Sequence, residues 1–323
     1  ASAVAAVYGI NKLLDNPLKS KFYLGDYEAS SKSLEKAYVP GTLNNEDNCH
    51  YLHARKTSIN IDECTISTPQ NLNTFWFLGD SHADAMRQAA NFVSTKYGYN
   101  MSALTFSAAS APSGSYSIKG YPWVRDHLIK QDKHIDEVFG LVKKGDVLFL
   151  INNLQYYFAP SLSSKKPLDM IYYDENNQIS EREVSFDLWI SSLIELTKVA
   201  NSKGAKVILF SPIPYFLEHN ERTCYREWFT MRKCTMEKEK FIGDRGIYKK
   251  INSKFINLED QIENLYVFDA FSPLCKTKTC NYMGEKYSLY RDADHITNYS
   301  AREILGPALS KFMDSKRILT DFN

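Results

Sequence analysis

Hydrophobic positions are scattered and irregular up to residue 72, and from there they fall into a repeating order. Short apolar runs recur as TFWFLG (74–79), SALTF (102–106), DVLFLI (146–151), AKVILFSP (205–212) and LYVFDA (265–270). Between them the apolar positions take a helical period, which predicts helices over 83–97, near 132–143, and within SFDLWISSLIELTKVANS and YKKINSKFINLEDQIEN. A last helix is predicted in NYSAREILGPALSKFM. Runs that are apolar at successive positions read as strands buried on both faces. Strands alternating with helices then predict a three-layer α/β/α sandwich around a five-stranded parallel sheet. In such a sheet, ligands bind beyond the carboxyl ends of the strands. Two long interruptions fall at that end, a Tyr-rich stretch over 155–184 and a second over 213–246 that carries Cys224, Cys234 and Trp228. Loops this long are uncommon without a function. The organisation expected is an extension over residues 1–72 followed by one main domain over 73–323 with these two inserts.

Composition narrows the class. A chain of 323 residues, 44% of them hydrophobic, can bury a full core. Its 39 Lys and Arg against 38 Asp and Glu offer no electrostatic footprint for nucleic acid. No apolar run approaches the roughly 20 residues of a membrane span. The opening ASAVAAVYGI is apolar but short, and reads either as the exit from an upstream membrane helix or as an ordinary first helix. The six cysteines fall as close pairs around polar stretches. No C-x-x-C pair exists, and His50 and His53 are the only histidines near ligand spacing, which argues against zinc. Three local disulfides are expected, Cys49–Cys64, Cys224–Cys234 and Cys275–Cys280, and with them an oxidising compartment. No Gly-rich nucleotide motif follows any strand, so neither cofactor nor metal is expected.

The chemistry concentrates in FWFLGDSHADAM (75–86), where Ser81 stands at the junction of the first strand and its helix. There its backbone N–H can face a developing anion. A serine hydroxyl is a poor nucleophile without a base that is itself held by a third group. Of the seven histidines, His82 adjoins Ser81 and points away from it on a helix. His50 and His53 lie in the polar extension, and His127, His134 and His219 are expected at the surface. His295, in LYRDADHITNYSARE, follows the fifth strand and precedes the last helix, so it returns to the edge that holds Ser81. Asp292 stands three residues before it, where a short turn brings a carboxylate to Nδ1. Asp294 competes for that role, and the turn favours Asp292. Asp80 is expected to be structural.

GDSH after the first strand and DADH before the last helix resemble the first and fifth blocks of the SGNH (GDSL-like) hydrolases. The resemblance covers about residues 74–313 and implies Ser81 as nucleophile, His295 as general base and Asp292 as the acid that orients it. The His after the serine, the paired cysteines and PLCKTKTC…LYRDADHIT are more similar still to the extracytoplasmic SGNH domain fused to acyltransferase-3 membrane proteins. That subgroup O-acetylates bacterial surface polysaccharides such as O-antigen, and often carries an extension like residues 1–72. The resemblance therefore implies a polysaccharide acceptor, an acyl donor delivered by a membrane domain of the same chain, a periplasmic site tethered to the inner membrane, and an isolated domain that is monomeric. The chain departs from the pattern at the oxyanion hole. Beside the Ser81 N–H, the loop SAASAPSG offers Ala109 or Ser110 in place of the second block's glycine. INNLQYY offers Asn152 or Asn153 in place of the third block, with Asn153 preferred. Tyr116, Tyr121, Trp123, Tyr156 and Tyr157 are candidates for stacking on sugar rings. A secreted carbohydrate esterase would use the same residues. A binding module that kept the fold would be expected to have lost one member of the triad.

Overall fold

The computed structural model describes residues 49–51, 60–69, 73–158, 169–216, 234–242, 247–284 and 288–319. Expectations for residues 1–48 and for His53, His219, Cys224 and Trp228 lie outside the described residues. In chain order the elements begin with β1 (His50–Tyr51), β2 (Thr65–Ile66), β3 (Thr74–Gly79), α1 (Ser81–Ala85), α2 (Arg87–Tyr97) and β4 (Asn100–Phe106). They continue with β5 (Tyr116–Ile118), α3 (Trp123–Leu141), β6 (Val147–Ile151), α4 (Leu154–Phe158), β7 (Met170–Tyr173), β8 (Ile179–Ser180), α5 (Arg182–Ser202) and β9 (Lys206–Phe210). The last are β10 (Thr235–Glu237), α6 (Glu239–Ile242), α7 (Ile247–Gln261), β11 (Leu265–Phe268), α8 (Phe271–Leu274), β12 (Thr279–Asn281), a π-helical turn at Ser300–Leu305 and α9 (Gly306–Ser315).

The central sheet runs β1-β4-β3-β6-β9-β11, with β2 also paired to β4. All of its pairings are parallel except that of β2. The predicted sandwich is therefore present, but its sheet has seven strands rather than five. The two additional strands come from the extension, whose polar sequence hid them because each is two residues long. They cover the outer edge of β4, which would otherwise expose unpaired backbone groups. Cys49–Cys64, with Cα atoms 5.5 Å apart, ties them together. Cys275–Cys280 is also formed, and Cys234 is disulfide-bonded.

Side chains alternate across the strands and feed two cores. Phe75 and Phe77 of β3, with Val147, Phe149 and Ile151 of β6, pack on the side of α2 and α9. Trp76, Leu78, Leu148 and Leu150 pack on the side of α3, α5 and α7. Every one of these positions is buried, which is why the strands read as continuous apolar runs rather than alternating ones. The 155–184 insert forms α4, β7 and β8, and its strands join β5 in a small antiparallel sheet. From the second insert, β10 pairs with β12.

Strand order reverses direction at β3, which has β4 on one side and β6 on the other, so the crevice for a ligand opens beyond the ends of β3 and β6. Gly79 closes β3 with φ +151°, and a Cβ there would lie 1.8 Å from the Ile151 carbonyl oxygen of β6. Only glycine lets the two strands approach so closely before the chain turns. Gly79→Ala is expected to cost about 3 kcal/mol or more, the scale of an overpacked core, measured by denaturant unfolding.

Candidate active site

Ser81 is the first residue of α1. Asp80 precedes it with an extended backbone, and one carboxylate oxygen, Oδ1, accepts the His82 N–H at 2.8 Å. The other, Oδ2, accepts the Asn153 N–H and the Tyr157 hydroxyl, each at 2.7 Å. Asp80 is fully buried, so these donors replace the water it lost. One carboxylate thus joins the end of β3 to the end of β6 and to α4, and the expectation that Asp80 is structural matches this geometry.

His295 arrives on a loop braced from several sides. Tyr290 and Ile296 form an isolated bridge, Arg291 N–H donates to the His295 carbonyl at 3.0 Å, and Phe216 N–H donates to the Ala293 carbonyl. Asp292 turns this loop by accepting the backbone N–H of Asp294 at 3.1 Å and of His295 at 2.7 Å. Its two oxygens also lie 3.0 and 2.9 Å from His295 Nδ1. The other ring nitrogen, Nε2, is 2.7 Å from Ser81 Oγ. The structure therefore brings together the three residues that the sequence singled out across more than two hundred positions.

Asp294 is present as well. Its Oδ1 is 3.2 Å from the same His295 Nδ1, while Oδ2 accepts Asn153 Nδ2–H at 2.8 Å and faces His82 Nε2 at 3.4 Å. Burial works to lower the basicity of His295, but its hydrogen bonds to Asp292 and Asp294, with their negative charges, outweigh it and push the imidazole up to about 10. Both carboxyls resist burial in turn and are held below the usual range by His295, Asp294 also by His82. His82, Asp294 and His295 each offer a metal-ligating atom within 4.8 Å of the others. Those atoms already satisfy one another as a hydrogen-bonded network.

The backbone N–H groups that the sequence offered beside that of Ser81 are engaged within their own loop. Along the loop after β4, Ser107 N–H donates to Tyr51 O at 3.0 Å and Ala109 N–H to Phe106 O at 3.3 Å. Ser110 N–H donates to the Tyr116 hydroxyl at 3.0 Å, and Ala111 N–H to Asn152 Oδ1 at 2.8 Å. Ala109 and Ser110 are buried and engaged in holding the loop. Asn152 is engaged too, since its Nδ2 returns a 2.8 Å bond to the Ala111 carbonyl. Asn153 spends its amide on Asp294. From Ser107 to Ala111, Ala108, which the sequence did not single out, is the residue whose N–H has no acceptor among the described residues. Its φ is +55°, a conformation that glycine adopts without penalty. A loop of small residues where the resemblance called for glycine was the available signal, but nothing in SAASAPSG marks which residue takes that backbone. The Ser81 N–H is likewise without an acceptor among the described residues. His127, expected at the surface, is fully buried, with Nδ1 2.7 Å from the Ser107 carbonyl. It sits on the inward side of a helix that begins earlier than its apolar pattern suggested.

The profile of the family described as "SGNH domain (fused to AT3 domains)" matches residues 48–309. The chain belongs to that family. No curated protein matches it. Among solved structures, this SGNH domain is similar to the periplasmic domain of a lipopolysaccharide acetyltransferase from Salmonella ser. Paratyphi A. The two share 14% identity over 90% of this chain and 98% of that one, with a TM-score of 0.55. A catalytic mutant of an acetylxylan esterase from Geobacillus stearothermophilus matches at 13% identity over 76% of this chain and 94% of that one, with a TM-score of 0.41. The likeness to the acetyltransferase domain speaks to the fold alone. Among the described residues, no helix of the domain is long and apolar enough to cross a membrane. Asp80→Asn would turn an acceptor oxygen into a donor facing His82, Asn153 or Tyr157. The expected loss is about 2–3 kcal/mol of stability, read by denaturant unfolding.

Proposed function

We propose that this SGNH domain is an acyltransferase that carries an acetyl group on Ser81 and passes it to a hydroxyl of a bacterial surface polysaccharide. The observation that carries the reading is the 2.7 Å approach of His295 Nε2 to Ser81 Oγ, with Asp292 on the opposite ring nitrogen. In the first step, the serine oxygen attacks the acyl carbonyl while its proton passes to Nε2. The tetrahedral oxyanion is received by the backbone N–H groups of Ser81 and Ala108, each donor being worth on the order of 3–4 kcal/mol when well placed. Collapse expels the donor's leaving group, which takes the proton from His295. In the second step, the acceptor hydroxyl gives its proton to His295 and attacks the acyl-serine, and His295 passes the proton to Ser81 Oγ as its ester bond breaks, releasing the acetylated sugar and free Ser81.

Fusion of the family to AT3 domains supports a membrane acyltransferase partner in the same protein that supplies the acyl group. The likeness to a periplasmic lipopolysaccharide acetyltransferase domain supports the polysaccharide class, and the disulfides support an extracytoplasmic location with a membrane tether. The domain organisation expected from sequence is kept as part of this reading, with the extension contributing β1 and β2 to the sheet and the isolated domain acting as a monomer. Of the aromatic candidates, Tyr116 and Tyr157 are buried and occupied by Ser110 and Asp80. Tyr121, 48% exposed, remains for the acceptor, with half-buried Trp123 and Tyr156.

Water in place of the sugar would make the domain an esterase through identical residues. The Asp292 side chain is 50% exposed, so water reaches this end of the site. That makes a small acetyl ester a usable assay. Ser81→Ala is expected to abolish turnover of p-nitrophenyl acetate without changing the unfolding transition, and retained turnover would remove Ser81 as the nucleophile. Asp292→Asn is expected to lower kcat by about 10³–10⁴-fold. Ala108→Val places a β-branched residue where φ is positive, so the loop should abandon its conformation. The expected result is a fall in kcat of about 100-fold with KM little changed, whereas Ala108→Gly keeps the donor and the activity.

A further inference from the structure

One imidazole nitrogen is faced by two carboxylates, and a single orienting acid would satisfy it. Asp292 alone fixes the tautomer, because both of its oxygens are at His295 Nδ1 and its Oδ1 also holds the turn. Asp294 is more deeply placed, with its side chain 19% exposed, and a carboxylate so close to another needs compensation. The compensation comes from outside the loop. Asn153, beyond β6, donates Nδ2–H at 2.8 Å, and His82, on α1, presents Nε2 at 3.4 Å. Asn153 also donates its backbone N–H to Asp80, the cap of the helix that carries Ser81. Asp80, Asn153 and Asp294 therefore form a chain from the nucleophile's turn to the loop of the base.

We propose that Asp294 is a positioning residue for His295, a second carboxylate held against Nδ1 by Asn153 and His82. The inference rests on the reading of Ser81 and His295 as nucleophile and base. Its consequence follows from charge. A second anion beside the ring favours the imidazolium that forms when His295 takes the serine proton, which lowers the barrier. It equally favours protonation before substrate binds, so the site works on the alkaline side of an ordinary histidine. The ionisable and polar groups around His295 are Asp292 and Asp294 on its own loop and, from α1, Ser81 and His82, whose ring centroid is 4.7 Å away. Asp294 is faced in addition by Asn153, and Tyr156 of α4 feels its charge.

The experiment is the pH dependence of kcat/KM for p-nitrophenyl acetate in the wild type, Asp294→Asn and Asp294→Ser, with Ser81→Ala as control. Activity needs neutral Nε2, so the rate rises with pH as the imidazolium loses its proton. Removing the Asp294 charge should move that rise to lower pH by about one unit or more. The plateau should fall as well, by about tenfold or more. A residue that only supports the fold would lower the whole profile without moving it. NMR titration of the His295 ring in folded Ser81→Ala protein, with and without Asp294→Asn, should show the same displacement in the absence of turnover. An unmoved profile and an unmoved titration, with Ser81→Ala inactive, overturn the role of Asp294. An active Ser81→Ala overturns the nucleophile reading instead.

Discussion

The site depends on satisfying one buried carboxylate. Asp80 lies where β3 ends, with no exposed surface, and an unpaired charge there would cost far more than the domain's net stability. Its donors come from three directions, the His82 N–H, the Asn153 N–H and the Tyr157 hydroxyl. Meeting that demand fixes the start of α1, the exit from β6 and the approach of α4 together. Ser81 sits between Asp80 and one of these donors, so its backbone is set by a requirement that has nothing to do with reactivity. Gly79 makes the arrangement possible by letting β3 touch the Ile151 carbonyl, and Asp80 N–H then donates to that same oxygen at 3.4 Å.

The extension supplies the other wall. The Thr105 N–H donates to the Cys49 carbonyl at 3.2 Å and Ser107 N–H to Tyr51 O at 3.0 Å, so the end of β4 and the start of the Ala108 loop hang on backbone that precedes β3 in the chain. Cys49–Cys64 closes that segment on itself. His127 secures the loop from below through the Ser107 carbonyl, and Asn152 through both backbone groups of Ala111. With its neighbours pinned on either side, Ala108 is left with a positive φ and an N–H that has no acceptor among the described residues. The strain of a non-glycine residue there, of order 1–2 kcal/mol, is borne by these flanking bonds.

The sheet and the pairing of Ser81 with His295 were legible in the sequence because they rest on local signals. An apolar run buried on both faces announces a central strand, and GDSH and DADH stand directly after strands whose positions those runs reveal. Asp292 was legible because a turn of three residues is a local object. The N–H proposed beside that of Ser81 for the oxyanion was not, because which N–H in that loop lacks an acceptor among the described residues is decided partly by distant partners, Tyr51 and Asn152. Asn153 shows the same limit. Its residue type suited an oxyanion donor, but the demand of Asp80 and Asp294, one seventy-three positions before it and the other 141 after, takes both its backbone and its amide. His127 was misplaced for a related reason, since its helix is anchored by Trp123 and Val124 before the apolar period becomes regular.

The spacing D-A-D-H puts two acids on one base, and their surroundings differ in a way that divides the work. Asp292 is half exposed, so its charge is screened by water and salt, and its strongest effect is geometric, through four contacts with its own turn and ring. Asp294 is less exposed and is tied to Asn153 and His82, so less of its field is lost to solvent. Orientation thus comes mainly from the acid that water can reach, and persistent charge from the acid it reaches less. On the reading proposed above, an acceptor sugar covering Asp292 would reduce its screening and strengthen its pull on the imidazolium. On the same reading, covering the acyl-serine with acceptor would then favour proton transfer from the sugar hydroxyl at the same time as it excludes the competing water.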